Sequence, residues 1–553
     1  MQRSTLAKRA WLVLLSATCV VYFYGLGVAP LLGPDEPRYA EVAREMFLRG
    51  DPLTPTLAGH TWFEKPALLY WLMMLAYGAF GVSEFAARLG SAASGVLTVL
   101  LVWWLARKAE AAGGEELRGF GLNTAAVTAS SAGLLVFARG ASFDILLTMT
   151  VAASLACFFV SEVETREGKA RAALAGFYAG IGASLLAKGL VGIIIPVGVV
   201  ALYYLLRRAR PNLLRLGILW GPLIALAVAA TWYAPVIARH GREFVEQFFV
   251  QHHFARYVSN KYKHPQPFYF YLPIAALLAL PWTAFLISGL ASARRFDWRA
   301  EDPSSKIRVL GLAWLIVPVA FFSLSGSKLP GYILPALPGA ALLVGERLSK
   351  YVRGGEGRYA MRATGVLLLA LFVAGLAYAF SGFIPGGESH ANPLPTLCTL
   401  AIVLPAGLTG ALALLLPRRR VLRAASIVGA AFLTVLLIVG CAFERVARRE
   451  SVAVLMRRAA EQGFGSLPVF QLHTIERTAE FYAAGRLAYD ERGEPIKFEG
   501  TGQIAEAARR SGGRALVLVP REFAYQLTQQ TGLETRDLGD NGAIALVAVS
   551  VKE

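Results

Sequence analysis

Residues 10–32, AWLVLLSATCVVYFYGLGVAPLL, carry no charge, and residues 33–66, GPDEPRYAEVAREMFLRGDPLTPTLAGHTWFEKP, follow with dense acids, bases and aromatics. The first stretch is long enough to cross about 30 Å of hydrocarbon at about 1.5 Å per residue. Arg3, Lys8 and Arg9 precede it as in a signal peptide. The apolar run is longer than a usual h-region and lacks a cleavage site, so it reads as a first span. The second stretch exceeds what a plain connector needs. Asp35, Glu36, Arg38, Tyr39, Glu41, Arg44 and Glu45 precede a second cluster at His60, Trp62, Glu64 and Lys65. Such a loop reads as the core of an active site at a membrane surface.

The pattern of the first span repeats along the chain. Of 553 residues, 56% are hydrophobic and 17% charged, against about 25% charged in soluble domains. The deficit lies in nearly charge-free runs, predicting a polytopic helical membrane protein. Thirteen spans are expected: 10–32, 85–106, 120–138, 143–161, 171–187, 189–206, 214–238, 268–292, 307–325, 330–348, 361–383, 394–416 and 422–442. The net charge of +18 is explained by topology and anionic lipid, with no nucleic-acid partner. Cys19, Cys157, Cys398 and Cys441 all fall within apolar runs, and their spacing predicts neither a disulfide nor a metal site.

The basic clusters Arg107–Lys108, Arg166–Arg171, Arg207–Arg215, Arg294–Arg308, Arg347–Arg362 and Arg418–Arg423 fall on alternate sides of the count. They share a side with the N-terminus, which the positive-inside rule makes cytoplasmic. Loops 33–84 and 239–267, the turns at Arg139, Lys188 and 326–329, and loop 384–393 are then outside. Arg445, Arg448 and Arg449 sit against the rule, as the start of an outer helix or a sign of a miscounted span. Residues 35–50 and 67–84 are expected as surface helices, the second lying on the outer leaflet; 242–258 is similarly amphipathic.

Composition changes after residue 442. Helical patterns at 451–462, 475–484 and 502–511 alternate with strand-like runs at 467–472, 515–520 and 544–549. The expected organisation is a transmembrane domain over 1–442 and a small outer α/β domain over 443–553. No phosphate-loop or dinucleotide fingerprint is present, so no nucleotide cofactor is expected, and His473 reads as structural.

The outer face collects charges that topology does not require. Loop 239–267 supplies His252, His253 and Arg256, and the turn SLSGSKLPGYILP at 323–335 supplies Lys328 and Tyr332. Asp144, Arg139 and Lys188 lie near span ends on that side, where ionisable groups are costly unless solvated, paired or functional. Arg and Lys bind phosphate, carboxylates act as bases or hold cations, and aromatic faces pack on sugars. Histidine beside glutamate suits a divalent metal. An anionic lipid bearing a sugar on phosphate would use the whole set. Plainer readings stand beside these. Asp35 and Asp144 also fit helix caps, Glu64–Lys65 a surface ion pair, His252 and His253 the edge of an interfacial helix, and Lys188 a snorkelling lysine.

DEPRYAEVAREM, FEKPALLYW, QHHFARY, AKG at 187–189 and SGSKLPGYILP together resemble the signature segments of bacterial aminoarabinose lipid A transferases. These are polyprenyl-phosphate-sugar glycosyltransferases of GT-C fold, related to protein O-mannosyltransferases. The likeness covers about residues 10–350. It implies transfer of 4-amino-4-deoxy-L-arabinose from undecaprenyl phosphate to lipid A phosphate, with inversion, at the periplasmic face of the inner membrane. The implied consequence is modified lipopolysaccharide and polymyxin resistance. In that scheme Asp35 matches the first-loop catalytic aspartate, and Lys65 and Arg256 match groups on the donor or leaving phosphate. Glu64 with His252 or His253 resembles a pair for zinc, magnesium or manganese. Some relatives carry Glu-His where this chain has His252–His253, which leaves the ligand open. Arg38, Tyr39 and Tyr332 would line the pocket. Asp144, as a second catalytic candidate, and Lys188 and Lys328, as substrate ligands, match further polar positions. The alternatives are a related transferase with another sugar or a protein or glycan acceptor, and a lipid transporter or flippase. Against the transporter, charges cluster on one face and no inverted repeat is evident.

Overall fold

The chain is described by a computed structural model covering residues 2–248, 266–381, 396–416, 418–491 and 493–552. It divides into two compact units, one comprising Met1–Tyr24, Phe63–Leu69 and Leu89–Ile438, the other Gly25–Trp62, Tyr70–Arg88 and Val439–Glu553.

The first unit is a bundle of apolar helices. Among the described residues nine helices are long and apolar enough to cross a membrane, ten if one bent pair counts as a span. Every stretch expected to span is helical at least in part, but the count of thirteen is not confirmed. Residues 120–138 break at Ser131 into the helices Phe120–Ser130 and Ala132–Phe137. Residues 268–292 form two short helices bent by 116°. Val191–Arg207 is a 17-residue helix. Residues 330–348 open with a 3-10 turn carrying Pro330 and Pro335 before the helix Leu337–Gly354, since proline cannot donate to a continuing helical ladder.

Helices in hydrocarbon gain little from burying apolar surface against one another, so close backbone approach matters. The hairpin Phe143–Val163/Glu167–Lys188 shows it: a Cβ on Gly180 would sit 2.8 Å from Ser154 backbone. Leu147, Val151 and Leu155 face Phe177 and Ile181 in one buried cluster with Trp314 and Tyr271. A second cluster joins Trp282, Phe285, Leu343 and Tyr351.

The second unit contains a five-stranded sheet. Its strands are β3 (Val469–Leu472), β4 (Lys497–Phe498), β5 (Arg514–Pro520), β6 (Leu533–Asp540) and β7 (Ile544–Val551), after a hairpin of β1 (Thr56–Leu57) and β2 (His60–Thr61). The order is β4-β3-β5-β7-β6, with β3 parallel to both neighbours and β7 antiparallel to β5 and β6. Alternate residues of β5 enter two cores: Leu516 and Leu518 join Met456 and Leu546, while Ala515, Val517 and Val519 join Ile504 and Val547. That alternation is the period of a sheet covered on both faces. All three expected strand runs are present. β4 and β6 were not expected, since β6, LETRDLGD, is mostly polar and half-exposed.

The first-loop helix forms as expected, over Asp35–Arg49, and ends on Gly50 in the left-handed region at φ 63°. Its N-cap is Pro34, with no side-chain capping bond, so Asp35 does not act as the cap. Leu68–Phe80 is a 13-residue apolar helix. Cys398 and Cys441 are disulfide-bonded and Cys19 and Cys157 free, correcting the expectation of no disulfide.

Candidate active site

In the second unit the site is built on the helix Asp35–Arg49. Asp35 is exposed in its first turn and makes no hydrogen bond or ion pair with the described residues. The next residue is the opposite case. Glu36 is buried and takes Arg88 bidentately, Oε1 from Nε at 2.7 Å and Oε2 from Nη2 at 2.8 Å. Arg88 also donates to the carbonyls of Leu26, Ala29 and Pro30 at 2.7–2.8 Å. All five guanidinium N–H groups are thereby used. Glu36 Oε2 accepts in turn from the Leu32 amide at 2.9 Å. A buried charge pair is tolerated only when so fully satisfied, and this one fixes the segment that presents Asp35.

The same helix is held by the C-terminal part of its unit. Arg38 Nε pairs with Glu480 Oε2 at 3.2 Å while its guanidinium lies 5.3 Å from the Trp62 ring centroid. Arg44 donates to the Phe481 carbonyl at 3.0 Å. Tyr482 Oη accepts from the Leu31 amide at 2.7 Å and donates to Glu84 at 3.0 Å. Tyr39 is buried. Glu41 is buried as well: Oε1 accepts from Arg44 at 2.6 Å, whereas Oε2 has no partner. Burial, opposed by Arg44 and reinforced by Glu45 and Glu480, pushes the Glu41 carboxyl up to about 8. Glu45 closes the hairpin, with Oε1 accepting from the Ala58 amide at 2.6 Å and Oε2 from Thr56 Oγ1 at 2.5 Å.

In the first unit, three residues far apart in sequence gather. Asp144 lies in the first turn of Phe143–Val163, and Ser142 Oγ accepts its amide at 3.1 Å. Lys188 ends its helix and pairs with Asp144 Oδ1. Its ammonium lies 4.4 Å from the Tyr332 ring centroid, on which a cation is attracted to the π face. Gly331 makes the approach possible, since a Cβ there would come within 2.5 Å of Asp144 Oδ2 and 2.6 Å of the Phe137 ring. Lys328 is buried and donates to the carbonyls of Ser325 and Gln266 at 2.6 and 3.1 Å, leaving one ammonium proton uncommitted to these bonds. Lys65 Nζ pairs with Glu64 Oε1 at 2.7 Å. Adjacent residues do not face one another on a helix; these two meet because they lie in the turn before Pro66. Arg139 donates to the carbonyls of Val21 and Tyr24 at 2.6 and 2.7 Å.

Of the residues expected at a site, Asp144, Lys188 and Tyr332 come together, as do Glu64 and Lys65. Arg38 and Tyr39 share the helix of Asp35. His252, His253 and Arg256 lie outside the described residues. Among those described, no three His, Cys, Asp or Glu side chains gather as a metal-binding group. Glu64 is engaged by Lys65, and with His252 and His253 outside the described residues no step is routed through a metal. Sequence reasoning missed Arg88 and the Glu480–Tyr482 clamp. Arg88 gave one signal: an arginine inside an apolar helix needs a buried partner.

The model of the dolichyl-phosphate-mannose-protein mannosyltransferase family matches residues 8–240. Curated undecaprenyl phosphate-alpha-4-amino-4-deoxy-L-arabinose arabinosyl transferases align as well. The one from Pseudomonas paraeruginosa is 35% identical over 67% of this chain and 65% of its own length. That from Aeromonas salmonicida is 34% identical over 67% and 66%. The chain thus spans just under two thirds of these relatives' length. The crystal structure of ArnT from Cupriavidus metallidurans bound to undecaprenyl phosphate superposes with a TM-score of 0.78 at 26% identity, covering 97% of this chain and 98% of that one.

Proposed function

We propose that the chain belongs to the GT-C polyprenyl-phosphate-sugar glycosyltransferases as a relative of the aminoarabinose transferases, and that it moves 4-amino-4-deoxy-L-arabinose from undecaprenyl phosphate to a lipid A phosphate. The observation that carries this is the match along nearly the whole chain to a transferase solved with undecaprenyl phosphate. The reaction would occur at the periplasmic face of the inner membrane. The basic loops support that placement through the positive-inside rule. Cys398 and Cys441 support it independently, since one opens the helix after loop 384–393 and the other lies at the junction to the tail. Both positions are on the expected outer side, where disulfides persist.

The chemistry follows from the charges. A lipid A phosphate is ionised near neutral pH, so it attacks without a general base. Its oxygen forms a bond to the anomeric carbon as the bond to undecaprenyl phosphate oxygen breaks, in line, inverting that carbon. Positive charge develops on the sugar and negative charge on the departing phosphate. Lys65, with Arg256, stabilises that phosphate. Lys188, Lys328 and Tyr332 add substrate contacts in the first unit, and Arg38 and Tyr39 add them in the second. Glu64 and Asp144 balance their lysines until a phosphate competes for them. Asp35, uncommitted and exposed, orients the acceptor or offsets the sugar's charge. A divalent ion on Glu64 with His252 or His253 is a separate proposal, tested by loss of transfer on chelation. The added amine would offset lipid A phosphate charge and weaken polymyxin binding.

Purified protein given labelled donor and lipid A should yield labelled lipid A with the anomeric configuration inverted. Transfer of a different polyprenyl-linked sugar, or to protein or glycan only, would favour the related-transferase alternative. Donor crossing the bilayer without transfer would favour the flippase.

A further inference from the structure

A cavity of about 280 Å³ opens among the basic helix ends of the first unit, where Arg295, Arg308, Arg347 and Lys350 converge with Glu346 and Glu356. Four cations against two carboxylates leave an excess of two positive charges. The carboxylates are also unequally placed. Glu346 is buried and already shared: Arg308 reaches its Oε1 at 3.1 Å, and Lys350 at 2.7 Å. Arg308 is further tied to Glu116. Glu356 is exposed and pairs with none of the four.

Arg295 and Arg347 are different. Neither makes an ion pair with any described residue, and Arg347 Nε is buried without a hydrogen-bond partner. A guanidinium nitrogen removed from water without an acceptor is costly, and the described residues supply neither guanidinium with a counter-charge. Arg347 lies one residue from Glu346 on the helix Leu337–Gly354, so the two point in different directions. Arg295 closes the 3-10 turn Ala293–Arg295. The donors come from three separate elements whose Ala293, Leu312 and Leu343 meet at the same buried cluster, which makes the arrangement preorganised. Planar guanidinium forks match the oxygens of a phosphate, and Arg is favoured for that geometry.

The geometry points to a phosphate-binding pocket at the face of the basic loops, separate from the Asp144–Lys188 cluster. The ligand is a phosphate monoester or diester, whether a lipid headgroup of that leaflet or free phosphate. The reading does not depend on the transferase assignment.

The test uses the full chain in nanodiscs and compares wild type with R295Q/R347Q and with R418Q/R419Q, a same-face control that removes equal charge at exposed positions. In one arm, phosphatidylglycerol is mixed with phosphatidylcholine, and native mass spectrometry counts retained phosphatidylglycerol. In the other, phosphatidylcholine discs receive inorganic phosphate and the thermal midpoint is followed. We expect R295Q/R347Q to lose affinity about ten-fold or more in one arm, with R418Q/R419Q like wild type. The arm that responds identifies a lipid headgroup or a free ion. Equal behaviour of all three proteins in both arms, or equal loss in both variants, would overturn the proposal. A global fall in stability without ligand is scored separately, by the midpoint in phosphatidylcholine alone.

Discussion

Arg88→Met should release the segment before Asp35, and the size of the effect can be worked out. The substitution keeps the volume and removes five donors. It strands Glu36, whose side chain is only 11% exposed, and leaves three carbonyls without their guanidinium. Removing one partner of a buried pair costs about 3–5 kcal/mol. Glu36→Gln should cost less, since an amide oxygen still accepts from Arg88. The Leu31 and Leu32 amides report the event directly, since they donate to Tyr482 Oη and Glu36 Oε2. A loss of about 3 kcal/mol is a fall of about two orders of magnitude in their hydrogen-exchange protection. The double variant should fall little further than Arg88→Met alone, a coupling of about 2–3 kcal/mol in the cycle. Transfer should drop in parallel if Asp35 depends on this segment. Unchanged protection in Arg88→Met, or full additivity in the double variant, would refute the clamp.

Glu41 predicts a pH dependence. Its folded pKa of about 8 lies above the ordinary 4.5, so the folded state holds the proton more tightly. The stability this contributes is complete below about pH 4.5 and is lost as pH rises towards 8, by at most about 1.4 kcal/mol per unit. Glu41→Gln should remove that component, seen as a flatter profile of thermal midpoint against pH. Gly331→Ala should push Asp144 off Lys188 through the 2.5 Å contact, lowering kcat/KM about ten-fold or more, whereas Gly168→Ala, with open space around it, should not. Tyr482→Phe removes the bonds to Leu31 and Glu84. It should raise exchange at Leu31 at a cost of about 1–3 kcal/mol, with the sheet intact by circular dichroism.

The sequence-based reading succeeded where the signal was local. Charge-free runs marked the helices, and the alternation of ALVLVP and IALVAV marked β5 and β7 with their two-sided core. The span count failed to emerge because breaks at Ser131, in the bend of 268–292 and at Pro330 interrupt apolar runs that hydropathy joins. The site was legible as a residue set more than as an arrangement. Asp144, Lys188 and Tyr332 each stood out as a misplaced polar group, and packing brings them together. Arg88 and Glu36 are 52 residues apart, and Arg38 and Glu480 are 442 apart. No periodicity links such pairs. Glu480 and Tyr482 also sit in an ordinary-looking helix AEFY, so nothing in the tail announces that it holds the first loop.

Lipid A from a reconstituted reaction is the most direct measure of the central claim, comparing wild type with Asp35→Asn at equal folded protein. Wild type should raise the mass of lipid A by one aminopentose per modified phosphate, only when the undecaprenyl-linked donor is present, and Asp35→Asn should abolish the increase. Lipid A of unchanged mass with the wild-type protein, or full modification by Asp35→Asn, would contradict the account.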